Sequence, residues 1–167
     1  MSKIFKSFNI SAIGAFDEVQ KSDMVFSIFD HWLDEKESDD LIVLHDEKIF
    51  AKDLEKKNIY YNYENLFLKF YSSIYNKYKV FIVLKTLDFT TFICEFDSSK
   101  DYTEIIKKGI REEVFFSLLI PELLAIISSG HDFTHHVTIN KINKNILYKN
   151  TITEIIKESG LFVLKGA

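Results

Sequence analysis

Breakpoints are scarce in this chain. Its 167 residues include five glycines and a single proline, the two residue types that most readily end a helix or turn a strand. Such a chain is built from long regular elements joined by short loops. At this length one domain is expected, burying about two thirds of the surface of the unfolded chain. Hydrophobic residues at 47% and charged residues at 28% are the proportions of a globular domain and exclude a disordered one. Sixteen Phe and eight Tyr supply a bulky core.

Cys94 is the one cysteine, so neither an intrachain disulfide framework nor a Cys-based zinc site can form. Cys94 lies in an apolar run and reads as a small buried hydrophobe. The first residues carry two lysines without a continuous apolar stretch behind them, so no secretory signal is expected. The longest apolar stretch, Val114 to Ser129, holds Pro121 and Glu122 and is too short to span a bilayer. The expectation is a soluble, cytoplasmic protein without a membrane partner.

Hydrophobic spacing predicts the elements. Lys3 to Phe16 reads as a strand with a turn at Gly14. Asp17 to Glu35 reads as a helix on the stripe of Val19, Met24, Ile28 and Trp32. Glu37 to Asp40 is a polar loop, Leu41 to Leu44 a short strand, and His45 to Lys48 a polar turn. Tyr60 to Tyr78 is the clearest helix: Tyr63, Leu66, Phe67, Phe70, Tyr71, Ile74 and Tyr75 recur at three and four, with Asn62 as a cap. That aromatic stripe is a core face.

Val80–Leu84 and Phe89–Phe96 read as an antiparallel hairpin. A helix capped by Ser98 or Ser99 follows, to about Phe116. Pro121 pushes Ile120 towards extended geometry. Glu122–Ile127 and Phe133–Ile139 form a second hairpin around a turn at residues 128–132. Asn140 to Asn150 is loop. Thr151 caps a helix that Gly160 stops, and Leu161 to Leu164 is a last strand. Hairpins outnumber parallel crossover units, so the class is α+β: a single domain with a mostly antiparallel sheet and packed helices.

Charge is distributed unevenly. Asp30, Asp34, Glu35, Glu37, Asp39, Asp40, Asp46 and Glu47 are opposed only by Lys36. The segment carries a net −7 within a chain of −4. Asymmetry of this kind governs association with a charged partner. Three readings of the run stand: a solvated face, a docking patch, or carboxylates for acid–base or metal chemistry. Trp32 anchors such a patch if it is exposed and otherwise packs in the core.

The second constellation is His131, Asp132, His135 and His136. These are metal-ligating residue types, but on a strand His135 and His136 point to opposite faces. A hairpin rim of partly exposed histidines is the simpler reading, and the alternative is a metal-dependent hydrolase or nuclease built on the cluster. No nucleophile elbow, phosphate-binding glycine loop or dinucleotide fingerprint occurs. Of the 21 basic residues only Arg111 is Arg, the usual bidentate reader of phosphate and guanine. With a pI near 5.7, direct nucleic-acid binding is not expected. No cofactor and no catalytic residue is assigned.

The C-terminal third runs Ile120-Pro121-Glu122-Leu123, a strand, Gly130-His131-Asp132-Phe133-Thr134, a return strand, a helix, and Glu158-Ser159-Gly160-Leu161-Phe162-Val163-Leu164. With the acidic, cysteine-poor character, this resembles the small bacterial immunity proteins that neutralise toxins delivered between neighbouring cells. The resemblance implies a non-enzymatic protein that blocks a cognate toxin by stoichiometric binding. A nuclease toxin grips a polyanion and presents a basic cleft, which an anionic segment can occupy in place of phosphate. The partner-binding residues would then be the eight acids, from Asp30 to Glu47.

Overall fold

A computed structural model describes residues 22–85, 91–139 and 146–165 of the chain. Seven strands form one sheet: β1 (Met24–Ser27), β2 (Phe81–Lys85), β3 (Thr91–Glu95), β4 (Ser117–Ile120), β5 (Ala125–Ser129), β6 (Thr134–Ile139) and β7 (Phe162–Leu164). Their order across the sheet is β3-β2-β4-β5-β6-β1-β7, and every neighbouring pair is antiparallel. The described helices are α1 (Glu35–Leu41), α2 (Glu47–Phe50), α3 (Leu54–Lys77), α4 (Ser99–Ile110) and α5 (Ile146–Glu158). The fold is α+β. No helix among the described residues is long and apolar enough to cross a membrane.

Helices α3, α4 and α5 share one face of the sheet. Phe67, Phe70, Tyr71 and Ile74 of α3, Ile106 of α4 and Ile152 and Ile156 of α5 meet Phe26, Leu118, Ile127 and Val137 in a single core. The aromatic stripe read from the sequence is therefore core, and α3 is the central helix. Its cap is Asp53, whose side chain accepts from Lys56 N, rather than Asn62. The opposite sheet face holds a smaller buried cluster of Phe81, Val83, Ile93, Leu119 and Ile126.

Both predicted hairpins form. Phe81–Lys85 pairs with Thr91–Glu95, and Ala125–Ser129 pairs with Thr134–Ile139. Ser98 caps α4 by accepting from Asp101 N, and Ile120 is extended before a 3-10 turn at Pro121–Leu123. That turn delays the strand expected from Glu122, and Ser128 and Ser129 belong to β5. Gly160, at φ 88°, ends α5 in the left-handed region that suits glycine.

Other expectations are corrected. The stretch expected to be helical through Glu35 contains β1 instead. All four residues of β1 are buried: β6 and β7 pair with its two edges, and a strand whose two faces are both covered reads as a near-continuous apolar run rather than an alternating one. Glu37–Asp40 is not loop but the body of α1, which carries its own capping signal. Leu41 closes that helix, and no strand forms over 41–44. The turn at His45–Lys48 opens α2. Helix α4 stops at Ile110 rather than near Phe116, which frees Ser117–Ile120 to pair with β2 and β5. Helix α5 already includes 146–150, so Thr151 is an interior residue whose hydroxyl donates to Leu147 O. The readings of Lys3–Phe16, Gly14 and residues 140–145 lie outside the described residues.

Candidate protein-binding surface

The acidic segment begins where β1 leaves the sheet. Asp30 and His31 form a hydrogen-bonded pair at 2.6 Å, and the other ring nitrogen of His31 lies 3.4 Å from Glu37 Oε1. The hydrogen bond to Asp30, seconded by Glu37, raises the His31 pKa, and the same bond lowers that of Asp30. Asp34 then starts α1 with a reciprocal capping box. Glu37 N donates to Asp34 Oδ1 at 2.9 Å, and Asp34 N donates to Glu37 Oε2 at 3.1 Å, so two otherwise orphaned amides are satisfied. Asp46 caps α2 without the reciprocal bond, accepting from Lys48 N and Ile49 N. Glu47 sits 3.3 Å from His45 Nε2.

Local structure thus accounts for part of the charge. Asp34, Glu37 and Asp46 are helix caps, and Asp30 is paired with His31. Glu35, Asp39 and Asp40 are exposed, and their carboxylates have no hydrogen bond or ion pair among the described residues. No Lys or Arg ion pair among the described residues reaches any of the eight. Helix α1 buries none of its residues, so packing against the core does not explain it. A short helix that is polar all round is held by its caps and side-chain pairs.

Apolar groups stand beside these acids. Of the ten exposed large hydrophobic residues among the described ones, five (Trp32, Leu41, Leu44, Ile49 and Leu54) fall between residues 32 and 54. Singly exposed apolar groups need no explanation, but these are concentrated along one stretch of the chain, interspersed with the acids. Trp32 is 48% exposed, which removes it from the core. Its Nε1–H donates to Lys165 O at 2.9 Å, tying the loop after β1 to the end of β7.

An open cleft of about 200 Å³ lies beside this segment. Phe29, Trp32, Leu33 and Ile42 contribute from the acidic segment and its approach, and Leu164 contributes from β7. His131 and Asp132 enter from the β5–β6 turn and Thr134 from the start of β6. The turn is pinned from a distance: Glu112 accepts from His131 Nδ1 at 2.9 Å through Oε2 and from Asp132 N at 2.8 Å through Oε1. Asp132 and Phe133 both have positive φ, 51° and 55°. The cleft thus joins the Gly-His-Asp turn to residues interspersed with the acids, His31 among them, while none of the eight carboxylates lines it. Nothing in the sequence pattern signalled Glu112 or Ile42 as part of it.

The histidines separate as strand alternation requires. His135 points into the helix-covered core, 1% exposed, with its Nδ1 2.5 Å from Tyr71 Oη. Tyr102 in turn donates to Tyr71 O. Burial, with a smaller contribution from His136, pushes the His135 pKa down to about 3. His136 points the other way, and burial lowers its pKa too. Of the cluster His131, Asp132, His135 and His136, the first two line the cleft, where His31 joins them, and no group of three or more potential metal ligands converges among the described residues. Buried Glu64 and partly exposed Arg111 form a bidentate pair at 2.7 and 3.2 Å, so the single arginine is engaged within the fold.

No protein-family model, curated protein or solved structure matches this chain.

Proposed function

We propose that this chain is an immunity protein that neutralises a bacterial toxin, a nuclease with a basic cleft, by stoichiometric binding in the cytoplasm. The observation that carries the reading is helix α1. It has no buried residue, presents Glu35, Asp39 and Asp40 without a neutralising partner among the described residues, ends on exposed Leu41, and is flanked by exposed Trp32 and Leu44. Unpaired carboxylates attract a cationic surface and speed encounter. Neighbouring apolar groups supply the desolvated contacts that hold the complex. The protein then acts by occupying the toxin's cleft in place of nucleic acid, with no catalysis and no membrane contact of its own.

The test is co-expression with the toxin candidate encoded by the adjacent upstream reading frame, followed by kinetic binding. Protection of the host and a one-to-one complex are expected. Asp39→Lys with Asp40→Lys should leave the fold intact, since neither carboxylate has a structural partner among the described residues, and should slow association by about tenfold or more. Association of the wild type should weaken as salt rises. Unchanged affinity in the double variant would show that the complex forms elsewhere.

A further inference from the structure

The cleft between α1 and the β5–β6 turn has a chemistry more specific than negative charge. We propose that it seats one arginine side chain of the partner protein. Size decides the class of occupant. About 200 Å³ falls below the roughly 300–1,000 Å³ of a pocket for a cofactor or metabolite, and suits a single side chain inserted as an anchor. The walls are apolar: Phe29, Leu33, Ile42 and Leu164, with the Trp32 indole beside them. The rim is anionic. Asp132 is exposed, and its carboxylate has no hydrogen bond or ion pair among the described residues.

A cleft with apolar walls and an acid at its rim matches a side chain that is apolar along its stem and cationic at its tip. A purely apolar anchor would desolvate the Asp132 carboxylate without pairing it. A guanidinium is favoured over an ammonium because it is planar, more weakly hydrated, and able to stack on an indole while bonding a carboxylate. The surrounding run of net −7 selects a basic segment to carry it. The walls are already in place: Trp32 is held by Lys165 O, and the His131–Asp132 turn is held by both oxygens of Glu112. Such preorganisation lowers the cost of binding.

The inference rests on the immunity reading for the partner being a basic protein, but its test needs no toxin. Trp32 is the only tryptophan, so a single indole N–H resonance reports on the cleft. The whole chain is titrated with acetyl-Gly-Arg-Gly-amide and with its citrulline counterpart, which keeps the shape and loses the charge. A saturable shift of the indole resonance is expected with the arginine peptide, at least tenfold weaker with citrulline. Asp132→Asn should weaken arginine binding at least fivefold without disturbing the turn, because Asn tolerates the left-handed backbone that Asp132 occupies. No saturable shift, equal binding of citrulline, or indifference to Asp132→Asn would overturn the assignment. A failed titration leaves salt-sensitive toxin binding standing, and a failed protection assay leaves a positive titration standing, so the two readings fall separately.

Discussion

The buried ring of His135 makes the stability of this domain sensitive to mild acid. In the unfolded chain the ring titrates near its ordinary 6.5, whereas in the core it titrates near 3. Between those values the unfolded state binds a proton that the folded state excludes. The stabilisation is therefore complete above pH 6.5 and is lost as pH falls towards 3, at about 1.4 kcal/mol per pH unit. From pH 7 to pH 5 the loss attributable to this ring is about 2 kcal/mol. With a urea dependence of about 2 kcal/mol per molar, the unfolding midpoint should drop by roughly 1 M. His136, also lowered, contributes in the same direction, so the comparison must be with His135→Gln, which keeps an acceptor for Tyr71. Urea unfolding at pH 7 and pH 5 should show the wild type losing about 2 kcal/mol more than this variant. Equal losses in the two proteins, or a His135 ring that protonates near pH 6 by NMR, would refute the reasoning.

Two further perturbations address the scaffold. Arg111→Met leaves the Glu64 carboxylate buried, 4% exposed, without its cation. It should cost about 3 kcal/mol or more in urea unfolding, and adding Glu64→Gln should recover part of the loss. Gly109→Ala would drive a methyl group into the Phe116 ring. The expected destabilisation is about 1–3 kcal/mol, relieved by Phe116→Leu in the same chain, as a double-mutant cycle would report.

Where one face of an element was buried and the other wet, the fold could be read directly. Helix α3 announced itself because Phe67, Phe70, Tyr71 and Ile74 repeat at helical spacing, and β6 because its burial alternates from residue to residue. Elements without such contrast were misread. Met24–Ser27 is buried on both sides, and a continuous apolar run fits a helix as well as a strand. Helix α1 has no buried face, so periodicity had nothing to detect. Its Asp34-x-x-Glu37 capping box was nevertheless present to be read, and Asp46 gave a simpler N-cap signal for α2. The acids were legible as charge but not as structure, since half of them are committed to caps or to His31. The cleft was not legible at all. It depends on a contact between Glu112 and a turn about twenty residues away, and on Leu164 arriving beside Trp32, and distances of that kind leave no local trace.

The position of β1 governs how this protein can be made. Residues 24–27 leave the ribosome early, yet their two neighbours are at 134–139 and 162–164. Until both have been synthesised, a largely apolar segment has at least one open edge, the condition under which nascent chains mispair. The sheet therefore closes only when translation reaches its final strand. A chain stopped before Phe162 would contain nearly every helix and strand and still leave β1 half-bonded, a ready target for chaperones and proteases.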